Sequence, residues 1–193
     1  MKKNNSFWLN SFKMESFPKL NENINTDVCI IGGGLTGITT AYYLIKQGYK
    51  VALIEKNTLL SKTSGHTTAK ITSQHGIFYK YLLDSQGENF ARKYLKANEN
   101  AITNIENIIK SENISCDFEK KNAYVFTENS NNISKIKDEA LAVNKLGVVK
   151  SKFINKIDTN LNLNEKAAIE FENQAQFNPC KYAEGLFSHN LIL

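Results

Sequence analysis

The sequence predicts an α/β protein organised at its N-terminal end around one βαβ unit, and three observations predict it. Asp27-Val28-Cys29-Ile30-Ile31 is a short apolar run that stops at three glycines, the pattern of a buried parallel strand. From Thr36 to Gln47 the pattern turns helical, with Gly37, Ala41, Leu44, Ile45 and Gly48 on roughly one face and Gly48 as the C-terminal stop. Val51 to Glu55 then reads as a second buried strand.

The remaining elements follow in order. Residues 1–26 carry Phe7, Trp8, Leu9, Phe12, Phe17 and Leu20 without a clear period, so they read as an irregular arm. The βαβ unit and the loop behind it occupy 27–75, with Ala69 to Gln74 read as extended. A helical insertion and a partial α+β domain fill 76–193. There, Glu88 to Lys110 repeats Phe90, Ala91, Tyr94, Leu95, Ile102, Ile105, Ile108 and Ile109 at helical spacings, which favours core packing over a dimer face. Ala123 to Phe126 reads as a strand, Ile133 to Leu146 as a helix stopped by Gly147, and Ala168 to Phe171 and Ala175 to Phe177 as two short strands. Asn178 is placed to cap a last helix whose first position is Pro179, where a missing N–H costs nothing, and that helix runs to the chain end.

Composition narrows the function classes. The formal charge is +5, but Arg92 is the sole arginine and the lysines are scattered, so no nucleic-acid-binding patch is expected. No run approaches the roughly 18 apolar residues of a membrane span, and the N-terminus lacks a signal-peptide core, which makes a cytoplasmic address the expectation. Cys29, Cys116 and Cys180 lack the spacing of a metal or disulfide framework and read as reduced, mostly buried thiols. His75 and His189 have no metal partners near them in sequence and read as structural.

The chemistry lies in Gly32-Gly33-Gly34-Leu35-Thr36-Gly37, a Gly-x-Gly-x-x-Gly pattern set just after a strand and just before a helix. Gly32 permits the tight turn, Gly34 admits a pyrophosphate to the backbone, and Gly37 lets helix and strand pack closely. The helix N-terminus presents N–H groups and partial positive charge to the phosphates, and Thr36 can add a hydroxyl. About twenty residues on, Glu55 is placed to accept hydrogen bonds from the adenosine ribose, and an acid there disfavours the 2′-phosphate of NADP. The unit therefore reads as a Rossmann-type site for the ADP half of a dinucleotide. Lys56, Ser61, Lys62, Thr63 and Ser64 follow the second strand, where they can line the ribose and pyrophosphate or form an ordinary polar loop.

The string from Val28 through Gly32, Gly34, Gly37, Ala41, Leu44, Gly48 and Val51 to Glu55 resembles the N-terminal fingerprint of FAD-dependent oxidoreductases of the D-amino-acid oxidase, glycine oxidase and sarcosine oxidase type. Thr63-Ser64-Gly65-His66-Thr67-Thr68-Ala69-Lys70 is similar to the loop that runs from ribose toward flavin in that family, which often has a glycine pair where Ala69 and Lys70 stand here. The resemblance implies FAD as cofactor, Thr63, Ser64 and Thr67 as contacts, and His66 as either a flavin neighbour or a loop histidine bonded to backbone. Gly65 to Thr72, preceded by Phe7-Trp8-Leu9, is similar to a bacterial branch whose full-length members often carry a C-terminal Rieske iron–sulfur domain. Asn113 to Thr127, the helix ending at Gly147, and Asn178 to Tyr182 resemble the first half of the family's substrate domain.

The resemblance implies oxidation of a small amine or amino acid next to its nitrogen. It also implies that later flavin- and substrate-contacting segments are missing, so the chain reads as an N-terminal portion that expects further polypeptide or an oligomer partner, and no catalytic residue is assigned. Two other readings stay open: a non-catalytic nucleotide-binding or interaction remnant, and an NAD-binding dehydrogenase fragment.

Overall fold

The computed structural model describes residues 6–13 and 16–187. In chain order the elements are α1 (Phe7–Ser11), β1 (Val28–Ile31), α2 (Leu35–Lys46), β2 (Val51–Ile54), β3 (Lys70–Ile71), α3 (Tyr79–Ser111), β4 (Glu119–Thr127), α4 (Ile133–Leu146), β5 (Ser151–Ile154), β6 (Ala167–Gln176) and α5 (Pro179–Phe187). Short 3₁₀ turns occupy Thr63–His66 and Ser130–Asn132. The chain divides into two units, the second formed by Ile71–Ile105 and Glu119–Gln176 and the first by the described residues before, between and after them.

The first unit contains the predicted βαβ core. β1 and β2 pair in parallel from Val28 opposite Val51 to Ile31 opposite Ile54. Asp27 and Thr26 pin the start of this pair, through Lys50 N–H to Asp27 Oδ2 at 2.8 Å and Thr26 Oγ1 to the Lys50 carbonyl at 2.5 Å. α2 covers one face with Ile38 and Ala41, both wholly buried. The last turn of α3 joins this unit, where Glu112 accepts a hydrogen bond from the Tyr42 hydroxyl at 2.7 Å and pairs with Lys46 at 2.9 Å. Burial first, and that carboxylate second, push the Tyr42 hydroxyl up to about 12. α5 begins as its sequence predicts, with Asn178 Oδ1 accepting from the N–H groups of Cys180 and Lys181 at 3.1 and 3.2 Å. The predicted run of that helix to the chain end, and His189, lie outside the described residues.

Two expectations for this unit are corrected. β1 is not buried on both faces, because Cys29 is exposed and Ile31 is 88% exposed. A two-stranded sheet with a helix on one side shields that side, and alternate residues of β1 point away from it. Of the three thiols, only Cys116 and Cys180 are buried. The arm contains a helix, α1, capped by Ser6 Oγ, which accepts from Trp8 N–H at 3.1 Å. Five residues are too few to display a helical period, so pattern alone could not reveal it.

In the second unit β6 is the central strand, paired with β4, β5 and β3. β4 runs antiparallel to it from Glu119 opposite Gln176 to Thr127 opposite Ala167, with a register shift between Lys121 and Ala123. β6 is one strand of ten residues rather than two short ones, because pairing with β4 carries it through the polar Glu172-Asn173-Gln174 break. β5 escaped the sequence reading because it is short and its inner Lys152 interrupts the apolar pattern. α4 has the predicted bounds, closed by Gly147 at φ 65°. α3 is two helical segments divided at Gly87, whose φ 79°, ψ 168° is not helical; the second starts at Glu88 as predicted, and the first, from Tyr79 to Gln86, has no counterpart in the sequence reading. Tyr79, Leu95, Val143, Leu146, Ile169 and Phe171 form the core.

One wholly buried charge organises this core. The Glu139 carboxylate, on α4, accepts from Phe78 N–H and Tyr79 N–H through Oε1 at 2.8 and 2.7 Å, and from Lys80 N–H through Oε2 at 2.8 Å. It thus satisfies three of the N–H groups that the start of α3 leaves without intrahelical acceptors, and its negative charge faces the positive end of the helix. Glu139→Ala is expected to destabilise the chain by about 3 kcal/mol, since it strands one buried and two partly buried donors. Glu139→Gln should recover only part, because its NH₂ would oppose the Lys80 N–H. Urea unfolding followed by circular dichroism measures both.

Candidate functional site

The glycine turn is built by close approaches that side chains would forbid. Gly32 follows β1 at φ +114°, and its N–H donates to the Ile54 carbonyl at 2.8 Å, which carries the strand pairing into the turn. A Cβ on Gly37 would stand 2.0 Å from the Gly32 carbonyl oxygen, so the first turn of α2 rests directly on the turn backbone. A Cβ on Gly33 would meet Leu59 Cδ2 at 2.2 Å, and the Gly33 carbonyl accepts from Leu60 N–H at 2.9 Å. Gly34, the N-cap of α2, is different, because its Cβ would meet only Ser64 Oγ, at 3.1 Å. The space beside Gly34 is thus a cradle bounded by one hydroxyl.

Polar groups converge on the same turn. Glu55 lies one residue beyond β2, and its Oε2 accepts from Gly33 N–H at 2.8 Å while Oε1 accepts from Asn57 N–H at 2.8 Å. The Gly33 bond first and the Asn57 bond second hold its carboxyl below the usual 4.5. Ser64 Oγ accepts from Leu35 N–H, in the first turn of α2, at 3.0 Å, which leaves its own proton free to donate elsewhere. Leu35, Thr36 and Gly37 form that first turn, which contains no acidic side chain. Its N–H groups and helix dipole favour an anion.

The loop behind the turn places the other predicted residues. Lys56 and Thr63 are exposed, and Gly65 is buried at the centre of the 3₁₀ turn. His66 is exposed, with Nδ1 donating to the Lys62 carbonyl at 2.8 Å. Thr67 Oγ1 accepts from Ala69 N–H at 3.1 Å. Ala69 itself sits at φ 58°, the left-handed region that glycine enters at no steric cost. The alanine therefore keeps the backbone shape of a glycine there, at a cost of about 1 kcal/mol. Hydrogen bonds tie Glu55 to Gly33 and Ser64 to Leu35, on either side of Gly34, while Lys56, Thr63 and His66 make no such bond to the turn among those described. Sequence reading missed Leu59 and Leu60, which close over Gly33. The signal was present as an apolar pair within an otherwise polar loop.

The profile of a family named DAO and described as FAD dependent oxidoreductase matches residues 27–189. The chain is 43% identical over 181 residues to the Bacillus subtilis (strain 168) protein named "Putative Rieske 2Fe-2S iron-sulfur protein YhfW", covering 94% of this chain and 35% of that one. Among solved structures, glycine oxidase from Geobacillus kaustophilus superposes with a TM-score of 0.63 at 17% identity, over 83% of this chain and 43% of the other. L-amino acid deaminase from Proteus vulgaris, with its specific insertion sequence deleted, gives a TM-score of 0.66 at 16% identity, over 94% and 46%. The chain thus spans about a third of the length of its Bacillus relative.

The packing distinguishes the glycines. Gly37→Ala is expected to cost about 3 kcal/mol, because backbone must move to admit the methyl group. Gly34→Ala should cost about 1 kcal/mol or less, because the Ser64 hydroxyl can rotate away. Thermal unfolding of the two variants tests the contrast. Glu55 adds a pH signature. Its lowered pKa means that its contribution is present above 4.5 and lost as pH falls through the lower folded value. The difference in melting temperature between wild type and Glu55→Gln should therefore be widest near neutral pH and narrow in acid. A difference that grows on acidification would contradict the Gly33 contact.

Proposed function

Since the chain belongs to the DAO family of FAD dependent oxidoreductases, we propose that its first unit holds FAD, with Gly32, Gly33, Gly34, Leu35, Thr36 and Gly37 receiving the pyrophosphate and Glu55 the adenosine ribose. The observation that carries this reading is the Glu55 carboxylate hydrogen-bonded to Gly33 N–H, beside a helix N-terminus met by the neutral Ser64 hydroxyl and with an open Gly34 cradle. Two oxygens offer about four acceptor sites. The Gly33 and Asn57 bonds leave others for ribose hydroxyls. Ser64, already bound to Leu35 N–H, offers its proton to a phosphate oxygen, and Lys56, Thr63, His66 and Thr67 line the path onward from the ribose.

When bound, FAD supplies hydride acceptance from a C–H bond next to an amine nitrogen, and the protein contributes binding, orientation and electrostatics. The substrate is a small amine or amino acid, in keeping with glycine oxidase and L-amino acid deaminase among the structural relatives. In this reading further polypeptide completes the flavin and substrate sites, and it includes a Rieske domain like the one named in the Bacillus relative. No helix among the described residues is long and apolar enough to cross a membrane.

Purified chain mixed with FAD and desalted is expected to retain flavin absorbance near about 450 nm, a general property of flavins. Gly34→Ala should weaken binding at least about tenfold while the fold persists, because the methyl group occupies the space a phosphate needs. Wild-type chain that neither retains flavin nor melts at a higher temperature with FAD present would overturn the reading.

A further inference from the structure

We infer that the N-terminal arm positions the cofactor loop, with Trp8 as the residue through which it acts, so that an element remote in sequence from the glycine turn sets FAD affinity; this rests on the FAD reading above. α1 is seated on the Thr63–His66 turn by two contacts of different kinds. The Trp8 indole Nε1–H donates to the Thr67 carbonyl at 2.8 Å, across 59 residues of sequence. Leu9 enters a notch that exists only because residue 65 is glycine, where an added Cβ would lie 2.8 Å from Leu9 Cδ2 and 2.2 Å from the Leu60 carbonyl oxygen. Ser6 caps the helix and fixes Trp8 at its second position, through Trp8 N–H to Ser6 Oγ at 3.1 Å.

Within the loop, Gly65 N–H and His66 Nδ1 both bond to the Lys62 carbonyl, at 3.1 and 2.8 Å, and a 3₁₀ turn of four residues is weak by itself. Yet Ser64, between the two anchored residues Gly65 and Lys62, must keep its hydroxyl on Leu35 N–H at 3.0 Å, at the mouth of the phosphate cradle. The Trp8 bond is directed and the Leu9 contact is steric, so together they fix both the height and the rotation of the turn. Preorganised loops bind more tightly because the ordering cost is already met before the ligand arrives. The directed bond of Trp8 goes to the loop and not to the residues assigned to the pyrophosphate, which makes it a positioning residue.

Two variants and two readouts test this. Trp8→Phe keeps an aromatic ring and removes only the N–H donor, while Trp8→Ala removes both. Hydrogen exchange over residues 60–68 is measured on the FAD-free chain, with the β1–β2 segment as internal control, and FAD affinity is measured by fluorescence titration. Trp8→Ala is expected to speed exchange in 60–68 about tenfold or more with the control segment unchanged, and to weaken FAD binding about tenfold. Trp8→Phe should give about fivefold on each, the worth of one hydrogen bond. Unchanged exchange in 60–68, or faster exchange with wild-type FAD affinity, would overturn the inference. A purely structural arm would lower the melting temperature and raise exchange everywhere, and Trp8→Phe, which keeps the ring, would then match wild type in both readouts. Should wild-type chain take up no FAD, the FAD reading and the affinity half of the inference both fall, and the exchange data alone decide whether the arm orders the loop.

Discussion

The contact of Gly37 with the Gly32 carbonyl oxygen is the constraint on which the first unit depends. With no room for even a methyl group between them, α2 must start where β1 stops, and its axis must leave the sheet at the angle this contact allows. The remaining features follow from that placement. Gly32 N–H can continue the β1–β2 ladder to the Ile54 carbonyl only if the turn is this tight, and the ladder in turn delivers Glu55 to the Gly33 N–H. A carboxylate at the end of one strand thereby reaches the backbone at the end of its neighbour, and the first turn of α2 opens onto the space between them.

Most of this was legible in the chain before any coordinates. The three glycines, the helical repeat to Gly48 and the acid after the second apolar run specify a single local geometry, because each position has a steric or electrostatic reason to be what it is. What could not be read there depends on contacts distant in sequence. The seat of Trp8 on Thr67 crosses 59 residues, and the helix that carries it is too short to announce itself. β6 continues through Asn173, at φ 59°, because β4 pairs on both sides of it, which no local pattern encodes. The exposure of Ile31 has the same origin, since burial of a strand is decided by what covers it and not by its own composition.

Glu139 illustrates how an isolated sequence hides a buried charge. In Lys137-Asp138-Glu139-Ala140 it looks like one more solvated position, yet it is wholly buried, while the helix around it follows the predicted pattern. Its partners are backbone N–H groups some 60 positions earlier, and backbone donors leave no trace in residue type. The same holds for the helical segment that precedes Gly87, ahead of the predicted helix at Glu88. The turn from Tyr79 to Gln86 is stabilised from outside by that carboxylate, and its own sequence, followed by Gly87, contains no capping side chain to mark it.

The same comparison shows why one helix end suits a ligand and the others do not. Ser6 caps α1, Asn178 caps α5, and the start of α3 is saturated by a full negative charge. α4 continues from the 3₁₀ turn at Ser130–Asn132, so the Ile133 N–H already bonds to the Ser130 carbonyl. α2 has a glycine at its N-cap and no acid in its first turn, and Ser64 meets it with a neutral hydroxyl rather than a charge. The first turn of α2 thus has no charged cap of its own, while the Glu55 carboxylate bonds Gly33 N–H one residue before the N-cap. Tight packing at Gly33 and Gly37 keeps the backbone rigid there, while the open side of Gly34 keeps it accessible. A dianionic pyrophosphate would supply the charge that the protein provides for α3 from within, so the helix gains from its ligand what Glu139 gives its counterpart.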